Sequence, residues 1–269
     1  MSEPITLASW NVNSLNVRKD QVLDLLRETG WDVLALQETK MTDAVFPASD
    51  FERLGYGVRF TGERAYNGVA VLFRKDRFEE VRPEDVLLEM PGRTDPQRRF
   101  LALTLRPKGG EAFRVVDVYV PNGSAPGSRK FLHKMDWLSD LQIAVAKMLE
   151  TTPRLIVAGD FNIAPEDADV WDPAMWRGNL LVSAPERRAL RRLMTLGFSD
   201  AYRIFPQAPK TYSWWDYRSR GYEKNEGLRI DLTLVSDALR PNVTAAAIVE
   251  GPRALPQPSD HAPVTVTFR

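Results

Sequence analysis

The chain contains no cysteine and only two histidines, His133 and His261. The first absence excludes disulfides, thiolate zinc sites, iron–sulfur clusters and a cysteine nucleophile. The second excludes a cage of several imidazoles. Any metal is therefore held mainly by oxygen, which points to magnesium, manganese or calcium. Long apolar runs are missing too. None approaches the ~20 residues that span a bilayer, and "MSEPITLASWNVNS" lacks the basic patch and apolar core of a signal peptide. The expectation is a cytoplasmic protein with no membrane association. Net charge is also absent, with 36 basic and 36 acidic residues, so the bulk positive field of many nucleic-acid-binding domains is not available.

What is present is material for a core. Of 269 residues, 43% are hydrophobic and 10% aromatic, which argues against disorder. No linker, repeat or low-complexity run divides the chain, so a single domain over residues 1–269 and a monomer are expected. Charge is uneven along it. Bases outnumber acids between Glu186 and Arg229, and the reverse holds over residues 1–60. The arginines of "ERRALRRLM" read as a solvated helix face rather than as phosphate contacts.

Hydrophobic spacing sets out the elements. "ITLASWNV" is a short strand. "DQVLDLLRETG" is a helix capped by Gly30, and "DVLALQE" is a strand buried on both faces. Together they have the size of one βαβ unit. "NGVAVLFR", "RFLALTLR" and "FRVVDVYV" are strands, and "KFLHKMDWLSDLQIAVAKMLE" is a long amphipathic helix. "PRLIVAGDFN" is again a buried strand. "APERRALRRLMTLG" is a helix, and "LRIDLTLVS", "TAAAIVE" and "APVTVTFR" close the chain as strands. The mixture suggests two facing sheets with helices outside.

The informative residues sit at the strand ends, where a rigid scaffold meets solvent. They are Asn11 and Asn13, Gln37 and Glu38, Tyr119 and Asn122, Asp160 and Asn162, Asp231, and Asp260 with His261. Each has a plain alternative. Asn11 could cap a turn, Glu38 could meet Lys40, Tyr119 could be core, and "GDFN" could be an Asx turn. Asp231, inside an apolar strand, is harder to dismiss, because a buried charge is costly without a partner. Taken jointly the set has a chemistry. Glu38 with Asn11 can hold a hard cation, and Asp260 can close that site. His261 can be oriented by Asp231. Asp160 can accept a proton from water, and Asn162 can donate to a phosphate oxygen or position that water. Such groups around one anionic centre describe metal-assisted phosphodiester hydrolysis.

"SWNVNSL", "LQETK", "YVPNG", "GDFNIAP", "WWDYRSRGY…GLRIDLTLVS" and "SDHAPV" occur in this order over nearly the whole chain. They resemble the exonuclease III / apurinic-apyrimidinic (AP) endonuclease family of DNA repair nucleases, within the DNase I-like phosphoesterases. The resemblance implies a four-layer α/β sandwich, two packed mixed β-sheets flanked by helices, with the site at one end. It implies Mg2+ or Mn2+. The partner it implies is duplex DNA carrying abasic sites, nicks or blocked 3′ ends. Residue by residue, it makes Glu38 the principal metal ligand, with Asn11 and Asp260 nearby. Asp160 would activate the attacking water and Asn162 would hold that water or the phosphate. Tyr119 would touch the phosphate or assist the leaving group, and His261 with Asp231 would stabilise the pentacovalent phosphate. Asn122 would contact phosphate. Trp214 and Leu228 would wall the pocket for a base-free sugar, and Arg99 and Arg229 complete the DNA-facing set.

Two departures bear on substrate. Asn13 stands where some relatives carry aspartate. "DPQRRFLAL" and "MWRGNLLVSAPER", with the bulky Leu181, resemble a bacterial subgroup in which 3′-end trimming outweighs incision at abasic sites. The rival expectations are a phosphoesterase for inositol phosphates or phospholipid headgroups, and a non-catalytic DNA-binding scaffold.

Overall fold

The computed structural model describes residues 3–269. It opens on the βαβ unit that the periodicity predicts: β1 (Ile5–Asn11), α1 (Leu15–Thr29) and β2 (Val33–Gln37), with β1 and β2 parallel. Helix α1 buries Leu15, Val22, Leu23 and Leu26. It ends on Gly30, whose left-handed backbone (φ 61°) lets its N–H bond the Leu26 carbonyl. Then come α2 (Ala48–Arg53), β3 (Tyr56–Thr61) and β4 (Val69–Arg74). The alternation of Tyr56, Val58 and Phe60 with Gly57 and Arg59 is what marks β3, since it offers no continuous apolar run.

The second half of the fold starts with β5 (Val86–Leu87), β6 (Phe100–Leu105) and β7 (Phe113–Tyr119), which pair in antiparallel order. The long α3 (Arg129–Thr151) returns the chain so that β8 (Leu155–Asp160) lies parallel to β7. After α4 (Pro173–Trp176), α5 (Ala184–Met194) and β9 (Phe198–Asp200), a ribbon forms from β10 (Trp214–Trp215) and β11 (Gly227–Leu228) around α6 (Gly221–Lys224). The chain closes with β12 (Asp231–Ser236), β13 (Val243–Ile248) and β14 (Val264–Phe268).

The strands make two mixed six-stranded sheets, ordered β13-β14-β1-β2-β4-β3 and β5-β6-β7-β8-β12-β9. Their facing sides share one apolar cluster, with Leu7, Val33, Ala35 and Val71 from the first sheet and Leu103, Val115, Ile156 and Val235 from the second. The outer side of the first sheet packs on α1 through Leu34, Leu36 and Ala70. The outer side of the second packs on α3 and α5 through Val116, Val157 and Leu232 against Trp137, Leu141 and Leu190. Both faces of the central strands are covered, which is why they read as unbroken apolar runs. The result is the expected four-layer α/β sandwich. β13 is the exception, an edge strand with most of its length exposed or half-exposed. Among the described residues no helix is long and apolar enough to cross a membrane.

One polar cluster interrupts the apolar layer between the sheets. Gln37 Nε2 donates to Ser9 Oγ at 3.0 Å and to Asp117 Oδ1 at 2.7 Å. Burial pushes the Asp117 carboxyl well above its usual range. Gln37 therefore faces inward, away from the strand-end group in which the sequence placed it.

Candidate active site

Register brings the strand ends together. Asn11 at the end of β1 pairs with Gln37 at the end of β2. In the other sheet Tyr119 and Asp231 flank Asp160, one on each side. The glycine of "GDFN" is required here: Gly159 has φ 145°, and a Cβ would stand 1.9 Å from the Val118 carbonyl oxygen.

Asn11 joins the two sheets. Its buried side-chain Nδ2 donates to Glu38 Oε1 at 2.8 Å and to Asp160 Oδ2 at 3.0 Å, while its Oδ1 accepts the Asn13 N–H at 2.9 Å. Glu38 also meets Lys40, with Nζ at 2.9 Å from Oε2. The plain alternative for Glu38 is thus true, yet it uses only one of the two carboxylate oxygens. Burial pushes Glu38 up, but the Lys40 charge and the Asn11 amide outweigh it and hold the carboxyl below its ordinary value.

Asp160 is buried and accepts the Asn162 N–H at 2.8 Å and the Asn162 Nδ2 at 3.2 Å. Burial raises it to about 7, against the opposing charge of His261. His261 Nδ1 lies 3.0 and 2.9 Å from the two Asp231 oxygens, and Nε2 lies 3.8 Å from Asp160 Oδ2. Burial lowers the imidazole, but Asp231 and Asp160 overcome it and raise the pKa to about 10. The ring is therefore a buried imidazolium at neutral pH. Ser213 Oγ accepts the Ile230 and Asp231 N–H groups at 3.1 Å, which fixes the backbone behind this pair.

Glu38, Asp160 and His261 each bring one atom into a group whose members lie within 4.8 Å of one another. The two carboxylates are hard oxygen donors, and they fit a hard divalent cation; the Asn11 Nδ2 bridges them, while its Oδ1 is turned to the Asn13 N–H. Asp260 stands apart from this group. Its Oδ1 accepts from Asn13 Nδ2 at 2.9 Å and its Oδ2 from Trp214 Nε1 at 3.0 Å.

Amides line the adjoining side of the site. Asn122 is exposed, and its Nδ2 donates to Asn162 Oδ1 at 3.0 Å. Asn162 Nδ2 also reaches the Val120 carbonyl at 3.1 Å. Burial and the Glu38 and Asp160 carboxylates push the Tyr119 phenol well above 10.0, so it stays a protonated donor. The Arg99 guanidinium lies over the Tyr119 ring, 4.4 Å from its centroid.

Beside the carboxylates stands an apolar wall of Ala164, Val170, Leu181, Val182, Leu228 and Ile230, with Trp171, Trp176, Leu180 and Trp214 packed on it. Trp214 is half-buried, Trp215 is core and Tyr217 is exposed. Two expectations need correction. Leu228 is fully buried as the cross-strand partner of Trp214, so it supports the wall and offers DNA no surface. Arg229 is 1% exposed, with Nε 2.7 Å from Asp169 Oδ1 and Nη2 2.7 Å from Asp200 Oδ2. Its charge is spent inside the fold, and it leaves the DNA-facing set.

Other residues around the site escaped the sequence pattern. Asp117 carried the same signal as Asp231, an acid inside the apolar run "VVDVYV". Lys134 and Asp169 carried none, since each lies among other polar residues in sequence.

Residues 8–261 match the Endonuclease/Exonuclease/phosphatase family. The chain is 34% identical to exodeoxyribonuclease III of Haemophilus influenzae over 270 residues, covering 97% of this chain and 98% of that protein. Among solved structures it is similar to a 3′-5′ exonuclease from Neisseria meningitidis (TM-score 0.91, 39% identity, 98% of this chain and 99% of that one). A Neisseria 3′ phosphatase bound to a product DNA hairpin matches equally well. An AP endonuclease from Archaeoglobus fulgidus follows, with TM-score 0.88 and 31% identity over 98% of this chain and 99% of that one.

Proposed function

The chain belongs to the Endonuclease/Exonuclease/phosphatase family, and from that premise we propose that it is a metal-dependent DNA repair nuclease cleaving phosphodiester bonds in duplex DNA. The observation that carries the reading is Asp160. It is a buried carboxylate raised to about 7, touched by Asn11 and Asn162 and faced by the imidazolium of His261.

The roles follow from the chemistry of each group. Glu38, with Asn11 and Asp160 beside it, would hold the cation, which we take as Mg2+ or Mn2+, with Asp260 outside that group. The chemistry such a cation would supply is neutralisation of charge developing on the phosphate. Asp160 takes a proton from the attacking water, a task open to a buried carboxylate whose basicity is raised by desolvation. Asn162 orients that water or a phosphate oxygen, and Asn122 supplies a second amide donor. His261, held charged by Asp231, stabilises the extra negative charge of the pentacovalent phosphate. Tyr119 donates its phenolic proton to the phosphate or to the leaving oxygen, and Arg99 approaches the backbone beside it.

Substrates are duplex DNA with nicks or blocked 3′ ends first, and abasic sites second. The bulky Leu181 in the wall and the match to the Neisseria proteins support that order. Both sheets build the one site, which supports a single domain, and we take the protein as a monomer of the cytoplasm.

The test sets three substrates side by side: a duplex with a 3′-phosphate nick, a duplex with an abasic analogue, and a soluble inositol phosphate. Each is run with and without Mg2+ and after EDTA. Metal-dependent turnover of the nicked duplex is expected. Turnover of the inositol phosphate alone would overturn the reading.

A further inference from the structure

A further buried ion pair joins the phosphate-facing asparagines to the apolar wall. Lys134, on α3, and Glu186, in the first turn of α5, are both 0% exposed, with Nζ 2.6 Å from Oε1. Lys134 Nζ also donates to the Asn162 carbonyl at 2.7 Å and to the Asn122 carbonyl at 3.2 Å. All three ammonium donors are thereby used, two of them on the backbone of residues that face the phosphate.

Glu186 continues the link on the other side. Its Oε1 accepts the Leu181 N–H at 3.1 Å, and its Oε2 accepts the Ser183 N–H at 3.0 Å and the Ser183 hydroxyl at 2.6 Å. A helix cap needs only the Ser183 bonds. The bond to Leu181 does something further, because Leu181 has a left-handed backbone (φ 71°), an uncommon and costly conformation for a branched side chain. Its carbonyl accepts the Ala164 N–H at 2.7 Å, so the strained residue is held from both sides. Packing repeats the connection. A Cβ on Gly123 would stand 3.2 Å from both Leu180 Cδ1 and Lys134 Cδ, so the wall and the lysine stem close on the loop after Asn122.

We propose that Lys134 and Glu186 are positioning residues that fix the apolar wall against the two asparagines, and so set how well a sugar is seated while its phosphate is held. The proposal rests on the nuclease reading above. A charged network this deep costs desolvation that a hydrophobic pair would avoid. Geometry held at a strained residue is what it supplies here.

The test compares two reactions of the whole protein with Mg2+. One is release of a 3′-terminal nucleotide, whose sugar must lie against the wall. The other is release of a 3′-phosphate, which needs the asparagines and not the wall. Glu186→Gln is expected to lower kcat for nucleotide release about tenfold, with a much smaller loss for phosphate release; Lys134→Met, which also removes the bonds to the two asparagine carbonyls, should lower both, nucleotide release more. Lys134→Arg should recover part of the ratio. Removing one partner leaves the other charge buried alone, so the neutral double variant Lys134→Met/Glu186→Gln is measured as well, each value scaled to the folded fraction from a thermal melt. Equal losses on both substrates would overturn the proposal and leave the nuclease reading intact. A wild-type protein inactive on both would overturn the reading, and this inference with it.

Discussion

Two buried charge clusters lie a few residues apart along "LRIDL" and behave oppositely. Around Arg229, two acids (Asp169, Asp200) meet two arginines (Arg203, Arg229), and the books of charge close. Burial lowers the Arg229 guanidinium, but Asp200 and Asp169 more than restore it. Around Asp231, three acids (Glu38, Asp160, Asp231) meet one imidazolium and Lys40. That cluster is one positive charge short, and its central carboxylate rises to about 7 as a result of burial among like charges. A balanced cluster has no charge left over to attract an ion. An unbalanced one keeps residual negative charge that can attract a cation. Depth of burial does not separate them; the residual charge does.

The largest effect expected from breaking this contrast is at Asp160. Asp160→Asn removes the base and should lower turnover by about 10²–10⁴-fold in steady-state assays on nicked duplex. Its melting temperature should hold or rise, because a costly buried charge is gone. Loss of turnover only in proportion to unfolding would count against the role. Arg229→Met should do the reverse. It leaves Asp200 buried without its partner and Asp169 with Arg203 alone, and should cost about 3–5 kcal/mol of stability in urea denaturation. The folded fraction should keep its kcat. A selective loss of kcat would return Arg229 to the site.

The pH dependence of stability sharpens the contrast further. His261 is raised from 6.5 to about 10, so the folded state binds its proton more tightly than the unfolded chain does. That stabilisation is complete below 6.5 and drains away as pH rises towards 10. The urea midpoint should fall across this window, and His261→Gln should flatten the fall. The arginine cluster cannot contribute, since guanidinium does not titrate there. The smallest effect is at the wall. Trp214→Ala should raise KM a few-fold for nicked duplex, about 1 kcal/mol, with kcat little changed.

Much of this was legible beforehand for a physical reason. Strands buried on both faces announce themselves as continuous apolar runs, so "VLALQ" and "LIVAGD" fixed the layers and the ends at which Glu38 and Asp160 would lie. An acid inside "RIDLTL" had to have a partner, and His261 was available. Arg229 was misread because strand alternation fails just there. β11 ends at Leu228 and β12 begins at Asp231, so Arg229 belongs to neither strand, and both its N–H and its guanidinium bond Asp169. Leu228 was misread because cross-strand pairing decides which of two apolar residues is outermost, and pairing is not written in either segment. The Lys134–Glu186 pair was invisible for a third reason. Each residue sits in an amphipathic helix where a charge is ordinarily solvated.

The Asn11 amide spans the two sheets, with one carboxylate from each in its grasp. On the nuclease reading this makes cutting conditional on the integrity of the whole molecule. Parting of the halves would break the bridge that keeps Glu38 beside Asp160, and the site would be undone with it.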